Sequence, residues 1–182
     1  MNVYDFDGTI YDGDSSIDFF VFCVKRNWQT LRMLPTFGLS AALYVAKIRT
    51  KEQLKTAYFS FVQYLDDVDE TVVQFWESHS SKIKLFYIKK HQSTDIIISA
   101  SPEFLLKPIC EKLDSRLIAT IVDPKAGELN TKNCHGPEKV RRLQEYTTEQ
   151  IQEFYSDSRS DQPLAELAET AFLVSKDKVT PW

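Results

Sequence analysis

Short, continuous apolar runs alternate along this chain with longer stretches of helical spacing. Runs without polar alternation, rich in β-branched and aromatic residues, are typical of strands that are buried on both faces of a parallel sheet. Five such runs occur, at residues 2–4, 95–99, 117–122, 153–156 and 171–174. We therefore predict an α/β protein with a largely parallel sheet.

Residues 13–91 carry helical spacing instead. Ile17, Phe20, Val21 and Val24 recur at the i, i+3, i+4 and i+7 positions of one helix face. Pro35 interrupts the pattern, and further helices are predicted over the ranges 36–48, 54–65 and 72–83. We predict a helical bundle at 13–91, inserted into an α/β domain formed by 1–12 and 92–182. We also expect the apolar faces of the insert to pack on one another.

Length and composition agree with this division. With 182 residues, of which 43% are hydrophobic and 13% aromatic, the chain can bury a sizeable core. The formal charge is −4, yet residues 15–90 contain eleven basic and seven acidic side chains. Acid is thus concentrated in the core and base in the insert. We expect no nucleic-acid partner; the oligomeric state cannot be read from the sequence.

Cysteine usage and hydropathy bear on location. Three cysteines without paired spacing indicate a reducing compartment, and a leader is not expected because the first strand begins at Asn2. The longest uncharged stretch, residues 33–46, is shorter than the roughly 18–20 residues of a spanning helix. It predicts a buried or interfacial helix. We expect a cytoplasmic protein, with contact to a membrane surface as the less favoured alternative.

Two carboxylates follow the first strand. Asp5 and Asp7 are two positions apart, and Gly8 directly behind them can adopt turn geometries that other residues avoid. The two side chains should crowd one small space. Like charges so close raise each other's pKa, so the pair implies a bound cation, a protonated acid, or both.

Hydroxyls end the next apolar run. Ser101 precedes Pro102 at a predicted helix start and is expected to cap that helix. Ser99 then remains free to donate to an anion at the carboxyl end of its strand.

A lysine opens a later helix. Lys139 follows Gly136-Pro137 and lies in the first helical turn, where the helix dipole disfavours a cation by up to about 1 kcal/mol. Another attraction must hold it there, and its removal is expected to stabilise the fold slightly.

Taken together, these features resemble the signatures of the haloacid dehalogenase (HAD) superfamily of phosphatases that use an aspartate nucleophile. The four signatures occur in the family's order. They are Asp5-Phe6-Asp7-Gly8-Thr9, Ser99, Lys139 and the acidic pair Asp157 and Asp161, with Ser156 where many members have glycine. The helical insert after the first signature resembles the cap of the subfamily that includes phosphoserine phosphatase, which implies a cap domain at 13–91 and a catalytic core at 1–12 and 92–182. The resemblance implies a Rossmann-like, HAD-like core.

The resemblance also implies roles. Asp5 is the nucleophile that becomes an aspartyl phosphate, and Asp7 is the general acid and base. Thr9, Ser99 and Lys139 bind the transferring phosphoryl group. The implied metal is Mg²⁺, held by the carboxylates of Asp5 and Asp157, the Asp7 carbonyl and waters, one of them on Asp161.

A charge count supports the metal. The acids Asp5, Asp7, Asp157 and Asp161 outweigh Lys139 by three negative charges, so an empty site would repel a phosphate dianion. One Mg²⁺ lowers this excess to one. The metal is therefore expected to be a condition for substrate binding as well as catalysis.

The substrate is left open by the sequence. Asp14 stands where phosphoserine phosphatases place a glutamate against the substrate ammonium, which favours a small phosphomonoester such as phosphoserine. The aromatic first helix and the uncharged stretch 33–46 resemble phosphatases of phosphatidylglycerophosphate, a lipid alternative. A phosphotransferase or mutase, or a binding protein without catalysis, is the alternative of another class.

Overall fold

The fold is built around one six-stranded sheet in a computed structural model, which describes residues 1–176 and 178–182. The strand order is β3-β2-β1-β4-β5-β6. The strands are β1 (Asn2–Tyr4), β2 (Ile96–Pro102), β3 (Arg116–Thr120), β4 (Ile151–Ser156), β5 (Ala168–Ser175) and β6 (Lys178–Pro181). The first five pair in parallel, and β6 pairs antiparallel with β5. The predicted α/β fold with a mainly parallel sheet is confirmed, although the antiparallel edge strand was not predicted.

Burial explains the strand sequences. All three residues of β1 are buried, and so are six of the seven residues of β2. The strand β1 lies between β2 and β4, to which it is paired through Val3 and Tyr4 on both sides. Such a central strand has no edge to solvent, so Val3 and Tyr4, which point to opposite faces of the sheet, are both fully buried.

Helices pack on the sheet and lead from one strand to the next. In the core these are α6 (Glu103–Lys112), α7 (Pro137–Tyr146) and the short α8 (Gln162–Ala165). Gly136 precedes α7 with φ of 57° and Pro137 occupies its first turn, so the helix begins where the sequence predicts.

Between β1 and β2 the chain is almost entirely helical. The α-helices are α1 (Ser15–Arg26), α2 (Leu34–Val45), α3 (Lys51–Phe59), α4 (Val68–His79) and α5 (Leu85–Lys90). Short 3₁₀ segments at Trp28–Met33, Ser60–Tyr64 and Ser80–Lys82 connect them. Side chains of Asp14, Thr50 and Asp67 cap α1, α3 and α4, which accounts for where these helices begin.

One hydrophobic cluster joins the insert to the sheet. Trp76 of α4 packs edge-on against Phe6 and Tyr11, and its indole N–H donates to the Leu105 carbonyl at 2.6 Å. At the end of the insert, Tyr87 of α5 packs against Tyr4 of β1. The helix α5 belongs to the predicted insert but packs on the sheet of the core. The predicted boundary between insert and core at residue 91 therefore stays a prediction.

The outward face of α2 differs from the expectation that the apolar faces of the insert pack on each other. Leu39 is 60% exposed and Val45 is 79% exposed, because the protein packs only against the opposite face of this helix, through Phe37 and Ser40. Within the described residues, no helix is both long and apolar enough to cross a bilayer.

Candidate active site

The signature residues meet at the carboxyl end of the parallel strands. Asp5 and Asp7 follow β1, and Asp157 follows the neighbouring β4. The chain turns sharply at Gly8, directly after Asp7, and the φ angle of Gly8 is 71°. A Cβ added to Gly8 would lie 2.1 Å from Oδ2 of Asp157, far inside any allowed contact. Only glycine therefore permits the Asp157 carboxylate to lie against the turn that follows Asp7.

Thr9 helps to fix the position of Asp157 through a hydrogen bond to its backbone. Its side chain is fully buried, and its hydroxyl oxygen accepts a 2.8 Å hydrogen bond from the Asp157 backbone N–H. The structure does not bring Thr9 to the wall of the cavity, where a phosphate ligand would need it. Its geometry suits the positioning of Asp157.

Lys139 lies in the first turn of α7 and is almost fully buried. Its ammonium donates to Oδ1 of Asp5 and to Oδ2 of Asp161, each at 2.7 Å. Burial opposes the charged form, but the two carboxylates outweigh burial and hold the pKa of Lys139 above its usual range. Burial is also the largest influence on Asp5 and raises its pKa, while Lys139 opposes the rise. The attraction that outweighs the helix dipole at Lys139 is this pair of acids.

Asp161 is held on one oxygen and open on the other. Oδ2 accepts hydrogen bonds from Lys139 and, at 2.9 Å, from the Ser156 hydroxyl. Oδ1 is buried and has no hydrogen-bond partner among the described residues. Ser156, the departure from the family's glycine, thus contributes a donor that orients this acid.

Ser101 was predicted to cap α6, and that prediction is wrong. The residue that precedes α6 is Pro102, and the helix start has no side-chain cap. The hydroxyl of Ser101 instead donates to Oδ2 of Asp7 at 2.6 Å. The pairing of β2 with β3 changes register between Ser99 and Pro102, and such bulges re-aim side chains beside active sites.

Asp7 is held from two sides. The backbone N–H of Ser15 donates to Oδ1 at 2.6 Å while Ser101 donates to Oδ2. Burial is the largest influence and raises the pKa of Asp7, and the charge of Asp14 adds to the rise; both hydrogen bonds oppose it. A carboxyl that is fixed in place and reluctant to ionise is suited to donate a proton.

Ser99 lines the same cavity as Asp5 and is almost fully buried. Its hydroxyl oxygen accepts a 3.0 Å hydrogen bond from the Ser101 N–H. The O–H of Ser99 can therefore still donate to a ligand. The two serines thus have one task each: Ser99 faces the cavity and Ser101 holds Asp7.

A cavity of about 550 Å³ opens above these residues. The core contributes Asp5, Asp7, Ser99, Lys139, Asp157 and Asp161, together with Ser101, His135, Ser158 and Ser160. The insert contributes Asp14, Ser16, Ile17, Lys55, Tyr58 and Phe59. All the predicted site residues except Thr9 line this cavity. Asp14 also caps α1, since its Oδ1 accepts from the Ile17 N–H at 2.9 Å.

Lys55 is a charged cavity residue that the sequence does not single out. Its ammonium donates to the Ala100 carbonyl at 2.8 Å and to the Asn133 side chain at 2.7 Å. Burial, with the nearby charge of Lys51, lowers the pKa of Lys55 to about 8. Lys55, Tyr58 and Phe59 follow i, i+3, i+4 spacing, so the helical period of α3 could have placed them on one face.

The donor set fits a hard divalent cation. Carboxylate oxygens of Asp5 and Asp157 and the backbone carbonyl of Asp7 are the ligand types that Mg²⁺ prefers. The partnerless buried Oδ1 of Asp161 is an acceptor that a metal-bound water could satisfy. No three His, Cys, Asp or Glu side chains of the described part of the chain form a ready-made metal cluster. That agrees with a site of two carboxylates, a carbonyl and waters, because Mg²⁺ usually keeps several waters.

Comparison with known proteins decides the family. The profile of haloacid dehalogenase-like hydrolases matches residues 3–166. The chain belongs to this family. The hydrolase class and the HAD-like fold predicted from the four signatures are therefore confirmed, while the roles of the individual site residues stay predictions. No curated protein matches the sequence.

Solved structures share the fold of this HAD-family chain at low sequence identity. A protein of unknown function from Bordetella pertussis Tohama I aligns with a TM-score of 0.72 and 19% identity, over 91% of this chain and 85% of that one. A phosphoserine phosphohydrolase-like protein from Francisella tularensis gives 0.56 and 12%, over 94% and 86%. A probable phosphoserine phosphatase from Vibrio cholerae gives 0.60 and 12%, over 93% and 55%.

Proposed function

We propose that the protein is a Mg²⁺-dependent phosphomonoester hydrolase that acts through an aspartyl-phosphate intermediate. The observation that carries this proposal is the pairing of two differently held acids at one cavity. Burial raises the pKa of both acids, but Asp5 is ion-paired with Lys139, which opposes that rise, whereas Asp7 is held by hydrogen bonds from Ser101 and Ser15. Two acids in such different surroundings suit two roles, a nucleophile and a proton donor.

In the first step, Asp5 attacks phosphorus in line. Lys139 donates to Oδ1 of Asp5 and fixes the carboxylate, one oxygen of which forms the new bond to phosphorus while the bond to the ester oxygen breaks. Asp7 gives its proton to the leaving ester oxygen, which departs as the alcohol. Ser99 and Lys139 donate to the phosphoryl oxygens as negative charge spreads over them.

In the second step, water hydrolyses the intermediate. Asp7, now ionised, takes a proton from the water, whose oxygen bonds to phosphorus as the bond to Asp5 breaks. Inorganic phosphate leaves, Asp5 is regenerated and Asp7 is again protonated. Ser101 and Ser15 keep Asp7 in one orientation during both transfers. The insert side chains Tyr58 and Phe59 wall off part of the cavity from bulk water.

Mg²⁺ would be held by Asp5, Asp157 and the Asp7 carbonyl, with Asp161 on a bound water. When bound, it neutralises the phosphoryl oxygens and part of the negative excess of the site. Thr9 and Gly8 contribute by fixing the Asp157 carboxylate.

For the substrate we propose a small phosphomonoester that carries an ammonium group and a carboxylate, such as phosphoserine. The supporting observation is that the insert lines the cavity with one acid, Asp14, and one cation, Lys55. These could meet an ammonium group and a carboxylate. The names of the Francisella and Vibrio proteins agree with this proposal, although the likeness to them extends to the fold alone.

A substrate panel tests the specificity. Phosphoserine should lead glycerol phosphate and sugar phosphates by about tenfold to a hundredfold, the range for a hydrogen bond between charged groups. Asp14→Asn should erase that lead. Asparagine caps helices as well as aspartate does, so this variant keeps the start of α1 and isolates the charge. If the ratio of activity on phosphoserine to activity on glycerol phosphate were the same in the wild type and in Asp14→Asn, the assignment of Asp14 would be contradicted.

A lipid phosphate is the second candidate, and the exposed apolar face of α2 favours it. In that case the soluble panel would be flat and slow. Activity would rise on phosphatidylglycerophosphate presented in mixed micelles.

Transfer to an acceptor other than water is the alternative of another class. Phosphate release measured with and without added alcohol acceptors separates a hydrolase from a transferase. A protein that only binds phosphoryl ligands would not be expected to retain both Asp5 and Asp7 in contact with their partners. We further propose a cytoplasmic location, in agreement with three free and buried cysteines.

A further inference from the structure

The outward face of α2 is apolar along its whole length. Its exposed residues are Leu34, Pro35, Thr36, Gly38, Leu39, Ala42, Tyr44 and Val45, of which only Thr36 and Tyr44 carry a polar atom in the side chain. A Cβ built on Gly38 would meet no atom within 4 Å. No described residue therefore covers the middle of this face.

Apolar exposure continues on both sides of α2. Trp28 in the preceding 3₁₀ segment is 68% exposed, and Ile48 just beyond the helix is 70% exposed. We call the exposed residues of Trp28–Met33, α2 and Ile48 the docking surface. Scattered single apolar residues need no explanation, but a contiguous series of this kind marks an interaction site.

The charges in the segment that carries the docking surface are all of one sign. Between Phe19 and Lys51 the sequence contains six Lys and Arg residues and no Asp or Glu. They are Lys25, Arg26, Arg32, Lys47, Arg49 and Lys51. Apart from Arg49, which is partly buried, they are exposed. The overall charge of the chain is −4, so this positive segment stands out against an acidic protein.

The docking surface is linked to the cavity. Phe37, on the inner face of α2, packs against Tyr58 with ring centroids 5.6 Å apart, and Tyr58 lines the cavity. On α1, Ile17 lines the cavity while more than half exposed, and exposed Val21 lies one turn further towards the 3₁₀ segment. Apolar exposure thus extends along α1 from the cavity rim towards the docking surface.

We propose that the docking surface binds the face of an anionic phospholipid bilayer. The apolar helix face would contact the acyl chains, and the cations at both ends of the helix would contact the phosphate head groups. A second copy of this chain fits less well. A two-fold contact across α2 would bring the cations of the two copies together, and like charges in an interface are costly.

Vesicle flotation of the full chain tests this proposal without any turnover, so it stands apart from the proposed chemistry. The probes are vesicles of phosphatidylcholine alone and of phosphatidylcholine mixed with phosphatidylglycerol. The wild type should float with the mixed vesicles and remain unbound with phosphatidylcholine alone. Added salt should weaken the binding, since cations contribute to it.

Two variants and a matched control localise the contact. Val45→Glu should reduce binding at least about tenfold, because it removes an apolar anchor and repels anionic lipid. Lys25→Gln combined with Lys47→Asn should reduce it by a similar factor; asparagine tolerates the positive φ of 59° at Lys47. Leu85→Glu is the control, because Leu85 is 70% exposed on α5, outside the docking surface. It should bind like the wild type.

The same samples give the opposing outcomes. Hydrolysis of a soluble aryl phosphate should be unchanged by Val45→Glu, which shows that the variant is folded. Equal loss with Leu85→Glu, or equal binding to both vesicle types, would overturn the proposal. A concentration-dependent dimer in sedimentation that Val45→Glu abolishes would overturn it in favour of a second copy of the chain.

Discussion

The Ser101 hydroxyl donates a 2.6 Å hydrogen bond to Oδ2 of Asp7, although the two residues are 94 positions apart in the chain. The bond joins the loop after β1 to the end of β2 and fixes the acid that we propose as proton donor. Ser16 reaches the same hydroxyl at 2.9 Å, so the insert also contributes to this contact.

Removing that hydroxyl should slow the reaction. In Ser101→Ala, Asp7 keeps the Ser15 bond but loses the donor on Oδ2, so its orientation is less well fixed. We expect kcat for a phosphomonoester to fall about tenfold, near the value of one hydrogen bond to a charged group, with KM nearly unchanged.

Ser115→Ala is the matched control for Ser101→Ala. Its hydroxyl also makes side-chain hydrogen bonds, to Tyr87 and the Leu113 carbonyl, but it does not line the cavity. Full activity in Ser101→Ala, or equal losses in both variants, would show that Ser101 does not position Asp7.

Gly8 should be intolerant of any side chain. In Gly8→Ala the new Cβ would lie 2.1 Å from Oδ2 of Asp157, and φ of 71° is unfavourable for alanine. We expect a loss of about 1–3 kcal/mol in the free energy of unfolding. Because Asp157 must move, the Mg²⁺ concentration for half-maximal activity should rise at least about tenfold.

Gly38→Ala provides the contrast. Gly38 lies within α2 and faces open space, so alanine should stabilise the protein by up to about 1 kcal/mol through helix propensity. Urea unfolding and Mg²⁺ titration of both variants check the pair of predictions. A normal Mg²⁺ requirement in Gly8→Ala would exclude Asp157 as the metal ligand.

From the helix dipole alone, Lys139 was expected to destabilise the fold slightly. Its ion pairs with Asp5 and Asp161 reverse that expectation, and we now expect Lys139 to stabilise the fold. Lys139→Met would leave Asp5 and Asp161 buried without a counter-charge, at a cost of about 3–5 kcal/mol at neutral pH. Activity should also fall steeply, because the phosphoryl group loses a donor.

The cost of Lys139→Met should depend on pH with a definite sign. In the variant, Lys139 no longer opposes the effect of burial on Asp5, so the folded-state pKa of Asp5 rises further above the unfolded value of about 3.9. The folded state then binds more protons than the unfolded state, so the variant loses stability as pH rises from about 4 towards neutral.

Urea unfolding at pH 5 and pH 8 measures the pH dependence of the Lys139→Met cost. Lys90→Met is the control, since its pair with Glu153 is partly exposed and should contribute less than about 1 kcal/mol at either pH. A cost for Lys139→Met that is the same at both pH values would contradict the buried triad.

The sequence could predict the parts of the site that lie at strand ends. Asp5, Ser99 and Asp157 follow apolar runs, and parallel strands bring their carboxyl ends to one edge. Lys139 was predictable because it stands against the helix dipole. These signals are local, and a parallel fold converts them into proximity.

The rest depended on tertiary contacts that no local pattern encodes. The bulge in β2 turns Ser101 away from the helix that it was expected to cap. Lys55 reaches the end of β2 from the insert, and its placement depends on how α3 docks. The exposure of α2 was unpredictable because a buried helix and an interfacial helix share the same uncharged sequence.

The most direct measurement is mass spectrometry of peptides from enzyme quenched in acid while it hydrolyses an aryl phosphate in Mg²⁺. We predict one phosphoryl group on Asp5, none in Asp5→Asn and none when Mg²⁺ is chelated. Asp7→Asn should accumulate more of the phosphorylated Asp5 than the wild type does. An aryl leaving group needs little protonation, so the intermediate still forms, but the water that hydrolyses it lacks its base. A phosphoryl group on Ser99 or Ser101, or turnover by Asp5→Asn at a tenth of the wild-type rate or more, would contradict the proposed chemistry.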